Sequence, residues 1–184
     1  MRQRSRICLV LAACLLLSAH VYAAPQLNGF AEWRGGLRLG TDGQQSDDAT
    51  LDEARLQLES SASWENVLLR GKGDFIYDGV DGEADMDLRE VSMSVSPMRW
   101  LDLKIGRQTL TWGAGDYLFV NDLFPKDWNS FLLGRDDEYL KAPSDAVKAS
   151  FFSDLANLDV VYTPRFNSDR YITGERISYF NPQL

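Results

Sequence analysis

The sequence predicts an all-β protein: an antiparallel up-and-down transmembrane β-barrel sheet of about seven strands, incomplete as a barrel. Three observations predict it. A basic, then apolar, then small-residue stretch opens the chain. Apolar and polar residues then alternate with period two in segment after segment, with no 3.6-residue stripe and no long apolar run. The connections between these segments run long, short, long, short, as in a barrel with short turns on one side of a membrane and long loops on the other.

The opening stretch fits a cleaved secretory leader. Residues 1–6 hold three arginines and no acid, 7–19 are apolar, and Val21-Tyr22-Ala23 form a small-residue cleavage site before Ala24. The apolar run is too short to span a bilayer. A lipid-attachment reading at Leu11-Ala12-Ala13-Cys14 is disfavoured, because the apolar run continues past Cys14. Removing 1–23 takes away Cys8, Cys14, His20 and three arginines without an acid, so the chain's net charge deepens from −8 to −11. Residues 24–184 then offer no disulfide, no thiol, no Cys/His metal site and no Ser-His or Cys-His pair. No catalytic residues, no metal and no cofactors are expected. The acidity disfavours nucleic acid as a partner.

The first strand is expected over 27–40, with Leu27, Gly29, Ala31, Trp33, Gly35, Leu37 and Leu39 on one face and Asn28, Glu32, Arg34 and Arg38 on the other. The second, 54–64, is the cleanest: Ala54, Leu56, Leu58, Ala62 and Trp64 alternate with Arg55, Gln57, Glu59, Ser61 and Ser63. In 67–78, Val67, Leu69, Phe75 and Tyr77 oppose Arg70, Lys72, Asp74 and Asp78. Shorter strands follow at 90–96, 101–105, 146–152 and 158–162. All six prolines fall at strand ends or between strands.

Long polar connections are expected at 41–52, 79–87, 113–145 and after Pro164, with short turns at 65–66, 96–100 and 153–157. Trp64 and Trp100 mark one end of the strands, and Tyr77, Trp112 and Tyr162 the other, as interfacial aromatic girdles do. The cluster Asp78–Asp87 looks superficially like a calcium loop but lacks the EF-hand spacing, so it reads as a solvated loop with weak divalent bridging to lipopolysaccharide as a further possibility. The competing architecture is a soluble periplasmic β-sandwich acting as a glycan-binding module.

The stretch KIGRQTLTWGAGDYLFVNDLFPKDW (104–128) resembles a segment of porin-like outer-membrane barrels of the alginate-export type and their relatives, through Gly106, Arg107, Gln108, Trp112 and Gly113. The resemblance extends from about residue 27 to the end of the chain. It implies an outer-membrane channel or export pore for small polar or anionic solutes, saccharides among them, in a Gram-negative outer membrane. Outer-membrane lipid, lipopolysaccharide and the barrel-assembly machinery are the implied partners, with the oligomeric state left open. No residues of an alginate-binding site are repeated, so that substrate is not carried over.

The candidate pore-lining residues are Arg34, Arg38, Arg55, Arg70, Lys72, Asp74, Lys104 and Arg107. Arg107 falls on the parity of Leu103 and Ile105, where an arginine at mid-membrane costs ~2–4 kcal/mol. Two outcomes are open: a bulge at Gly106 that flips Arg107 inward, or an Arg107 that snorkels at the outer interface. The loop 113–145 is too long for an idle connection. Folded inward, it would set Asp116, Asp122, Asp127, Arg135, Asp136 and Asp137 against the basic strand residues and create a transverse field. The opposing expectation is a solvated surface loop. Seven strands fall short of an even-numbered closed barrel, so 24–184 is expected to be the N-terminal part of a larger barrel, with closure from several chains as the alternative.

Overall fold

A computed structural model describes residues 24–39, 49–112 and 123–172. The leader, Asp116 and Asp122 lie outside these residues.

Seven strands form one antiparallel sheet in sequential order, the up-and-down meander expected. They are β1 (Gln26–Leu37), β2 (Ala49–Trp64), β3 (Val67–Asp78), β4 (Glu83–Met98), β5 (Leu101–Gln108), β6 (Ser144–Phe152) and β7 (Asn157–Tyr162). The sheet is open: β1 pairs only with β2, and β7 only with β6, among the described residues.

Two boundaries differ from expectation. β2 begins at Ala49, inside the expected loop 41–52. β4 begins at Glu83, so the acidic stretch 79–87 is mostly strand, and the long connection there is a tight turn over 79–82. The reason is a register shift. Lys72 pairs with Glu90 and Gly73 with Leu88, leaving Arg89 as the extra residue of a bulge. Ala84, Met86 and Leu88 alternate with Asp85, Asp87 and Arg89 before the bulge. After it, Val91 and Met93 alternate with Glu90 and Ser92. The bulge puts Arg89 and Glu90 side by side in sequence, which breaks a simple period-two reading.

The two faces of the sheet are inverted relative to a soluble domain. In β2, Glu53, Arg55 and Gln57 are buried, while Leu56 and Leu58 are 44% and 41% exposed. The same holds in β3 and β4: Asp74, Arg89 and Ser92 are buried, and Phe75, Tyr77, Met86 and Val91 are exposed. β1 continues the exposed apolar face with Leu27, Trp33 and Leu37, and β7 with Leu158, Val160 and Tyr162. The only buried apolar cluster among the described residues is small: Leu110, Phe124 and Ala146, with Val161 against it. At the turn end, Trp100 stacks on Phe151 with ring centroids 6.2 Å apart.

Candidate functional site

The polar face is buried because the chain between β5 and β6 folds back over it. This segment contains a short helix, α1 (Trp128–Leu132), and a 3-10 turn, Asp137–Tyr139. Asp127 caps α1, its side chain accepting from the Ser130 N–H at 2.9 Å. Gly134 follows at φ 64, the left-handed conformation that ends such a helix and that glycine adopts without strain. Helix and turn together carry Arg135 through Tyr139 onto β1–β4.

The contacts are specific. Arg34 of β1 bonds Asp136 at 3.0 Å. Arg135 reaches down to Glu53, which also accepts from Arg55 at 2.5 Å. Lys72 bonds Glu138 at 2.5 Å. Arg89 donates to the carbonyls of Glu138 at 2.6 Å and Lys141 at 3.1 Å. Tyr139, almost wholly buried, lies with its ring 3.9 Å from the Arg55 guanidinium and 5.0 Å from that of Arg89. Its hydroxyl accepts from Gln57 at 2.6 Å, and Gln57 also donates to Asp74 at 2.9 Å. A tyrosine suits this place: a flat ring stacks on two cations, and its polar tip finds a donor.

A second segment pins the first. The chain after β7 lies along the loop, the Arg170 N–H donating to the Lys126 carbonyl at 2.8 Å and Trp128 N–H to the Arg170 carbonyl at 2.9 Å. The Arg170 guanidinium grips Asp87 with two bonds of 2.8 and 2.9 Å and reaches Asp127 at 3.1 Å. Asp169 accepts from the Lys126 N–H and the Trp128 indole, both at 3.0 Å.

Three loop-side groups carry shifted acidities. The Asp87 hydrogen bonds hold the Arg170 guanidinium above its ordinary value, against the opposing effect of burial. Burial pushes the Tyr139 phenol up to about 12, despite the nearby Arg55 charge. Burial raises the Glu138 carboxyl, but hydrogen bonds from Lys72 and Gln57 outweigh it and leave it below the usual carboxylate range.

Comparison with protein-family models, curated proteins and solved structures finds no match.

Of the sequence-predicted positions, Arg34, Arg55, Lys72 and Asp74 lie on the polar face, and the folded-back segment lies over them. Of the predicted loop residues, Arg135 and Asp136 bond strand side chains. Asp127 instead caps α1 and holds Arg170. Asp137 is exposed and opens the 3-10 turn. Arg70 is an exposed residue on the same parity as Lys72, towards the turn end, and Lys104 pairs with Glu90 at 2.7 Å away from the loop. Arg38 lies just beyond the end of β1.

Arg107 is a correction. No register shift occurs at Gly106: Ser92, Gly106 and Ala146 pair in line, as do Val91, Arg107 and Asp145. The phase flip is not made. Arg107 shares the apolar face with Ile105, near the loop end of β5, with Asp145 at 3.7 Å and its Nε donating to the Leu88 carbonyl at 2.5 Å. Gln108, expected outward after a flip, is buried on the polar face and bonds the Ala146 carbonyl at 3.2 Å. Gly106 is required for another reason: its φ is 120, and a Cβ there would collide with the Val91 carbonyl oxygen.

Sequence reasoning missed Glu53, Gln57, Arg89, Tyr139 and Arg170 as site residues. Glu53 and Gln57 were findable, since both continue the polar parity of Arg55. Arg170 had no sequence signal, because its partners Asp87 and Asp127 stand far from it along the chain.

Between the folded-back segment and the loop-end halves of β3 and β4 lies a cavity of about 510 Å³. Its lining includes Asp78, Asp81, Glu83 and Asp85 together with Arg55, Arg135 and Tyr139. No group of acids among the described residues is placed to hold a metal ion.

Proposed function

We propose that this sheet is part of the wall of an outer-membrane channel for small polar solutes, with the segment between β5 and β6 folded into its lumen as the constriction. The observation that carries the reading is the inversion of the faces. Large apolar side chains stand exposed on strands from β1 to β7, as soluble monomers rarely leave them in one contiguous patch, while the charges lie inward under the chain's own loop. In a bilayer the apolar face meets acyl chains and the polar face meets water.

Strand length supports it. At ~3.3 Å per residue, the 12-residue strands β1 and β3 run about 40 Å. Tilted by ~45°, they cross about 28 Å, close to the ~30 Å hydrocarbon core. The placement of Arg107 fits as well: it sits near the strand end beside Asp145, where an arginine costs far less than at the midplane. An open sheet edge in lipid leaves backbone groups unpaired at several kcal/mol each, so the channel requires further strands beside β1 and β7.

The docked loop refines the transverse-field expectation. Acid and base meet in direct ion pairs, Arg34 with Asp136 and Lys72 with Glu138, rather than across an open gap. A soluble sandwich would need a second layer over the apolar face, and none covers it among the described residues. The mature chain's lack of histidine and cysteine disfavours an enzyme.

Fractionation and planar-bilayer recording test the proposal. The chain should leave the outer membrane only with detergent and should give discrete conductance steps on reconstitution. Full recovery in a detergent-free soluble fraction would end the channel reading.

A further inference from the structure

We propose that the channel passes small cations in preference to anions, with the segment between β5 and β6 supplying the selecting charge. The proposal rests on the channel reading and names its solute class.

Exposure sorts the charges by sign. Among the described residues of that segment, 123–143, the exposed ionisable side chains are Asp136, Asp137 and Glu138, all carboxylates. Its cations lie underneath: Lys126 and Lys141 are buried, and Arg135 is half-buried against Glu53. The two ion pairs in which the segment's acids meet wall cations keep the same order. In Arg34–Asp136 the arginine side chain is 20% exposed and the aspartate 67%. In Lys72–Glu138 the lysine is 18% exposed and the glutamate 43%. Each pair is therefore a dipole with its positive end at the wall and its negative end in water.

The wall repeats the pattern. On the polar face of the strands, Glu83, Asp85, Asp102 and Asp159 are exposed, and Arg70 is the one exposed cation among the described residues. Arg55 and Arg89 are buried and paired with Glu53 and Asp87. Lys104 and Lys148 are half-buried, paired with Glu90 at 2.7 Å and Asp159 at 2.9 Å.

A fixed charge acts over about 10 Å at 0.1 M salt. Carboxylates facing the water of a narrow lumen raise the local concentration of cations and lower that of anions. This selection works through the field and needs no coordination site; no group of acids is placed to hold a metal ion among the described residues. The anionic solutes that the porin resemblance implies are the ones this arrangement disfavours.

Planar-bilayer recording of the full-length chain across a potassium chloride gradient tests the proposal. The expected reversal potential corresponds to potassium passing roughly fivefold or more readily than chloride near 0.1 M salt. That preference should fall toward unity near 1 M, where screening shortens to ~3 Å. Asp137→Asn removes a water-facing carboxylate and should lower the ratio about twofold, whereas Arg70→Gln removes the exposed wall cation and should raise it by about the same factor. Chloride passing as readily as potassium, a preference undiminished at high salt, or a ratio that either variant leaves unchanged or shifts the other way would overturn the selectivity and leave the channel. Absence of any conductance would remove both.

Discussion

Replacing Arg170 with alanine should unseat the folded-back segment while leaving the sheet intact. Arg170 is the only cation bonded to both Asp87 and Asp127 among the described residues, and those carboxylates are largely buried, Asp127 at 3% exposure. A buried charge stripped of its partner costs ~3–5 kcal/mol. Arg170 itself keeps 37% of its side chain exposed, Asp87 keeps Arg89 at 3.4 Å and Asp127 keeps the Ser130 N–H, so screening and the remaining partners lower the figure to about 2–3 kcal/mol. At ~1.4 kcal/mol per tenfold, the seated state weakens about 30- to 150-fold. Hydrogen exchange reads this directly, because local opening governs exchange of amides that bond within the loop. The Asp127 N–H bonds the Leu140 carbonyl at 2.9 Å and the Ala142 N–H bonds that of Pro125 at 3.0 Å. Both should exchange faster by that factor, with the amides of β2 and β3 unchanged. Arg170→Lys keeps the charge but loses the two-pronged grip, and should fall between. Exchange at Asp127 and Ala142 unchanged within about threefold would refute the latch. So would strand amides accelerating in step with the loop.

Three further outcomes follow from the same geometry. Gly106→Ala should lower the yield of folded protein sharply, since it demands φ 120 and a Cβ against the Val91 carbonyl; retained heat-modifiable mobility on gels at wild-type yield would contradict this. Tyr139→Phe keeps the stack on Arg55 and loses one bond from Gln57, about 1 kcal/mol, whereas Tyr139→Ala also loses the ring and should cost ~3–5 kcal/mol; denaturant melts of loop-reporting signals should rank them in that order. Glu138 has a depressed pKa, so its contribution is present above the ordinary carboxylate value and is lost as pH falls through the folded value. Loop protection, corrected for intrinsic exchange, should therefore drop on acidification below about pH 4.5 in the wild type and be less pH-dependent in Glu138→Gln.

The strands were legible because one face had to be oily. Leu56 and Leu58 against Arg55 and Gln57 name both faces of β2 without any other information. The start of β4 was not legible, because the bulge at Arg89 changes parity within the strand and an acidic run such as Asp85–Asp87 looks like a loop until Arg170 is seen to hold it. The long segment between β5 and β6 announced itself by length and charge. Its actual anchors did not, since Tyr139 is chosen by the stacking space between Arg55 and Arg89, which exists only once β2 and β4 are set in register. At Gly106 the sequence suggested a bulge, and the backbone instead solves a close approach to Val91 with a positive φ, leaving Arg107 on the apolar side.

The central claim is that the apolar face meets lipid and the polar face does not. Spin labels placed singly at positions 54, 56, 58 and 60 to 63 of β2, in the reconstituted full-length chain, test it most directly. The account predicts a period-two pattern: labels at Leu56 and Leu58 relaxed by oxygen dissolved in the bilayer and protected from a water-soluble nickel reagent, and a label at Ser61 the reverse. Labels at Leu56 and Leu58 that meet the aqueous reagent as readily as Ser61 would contradict it.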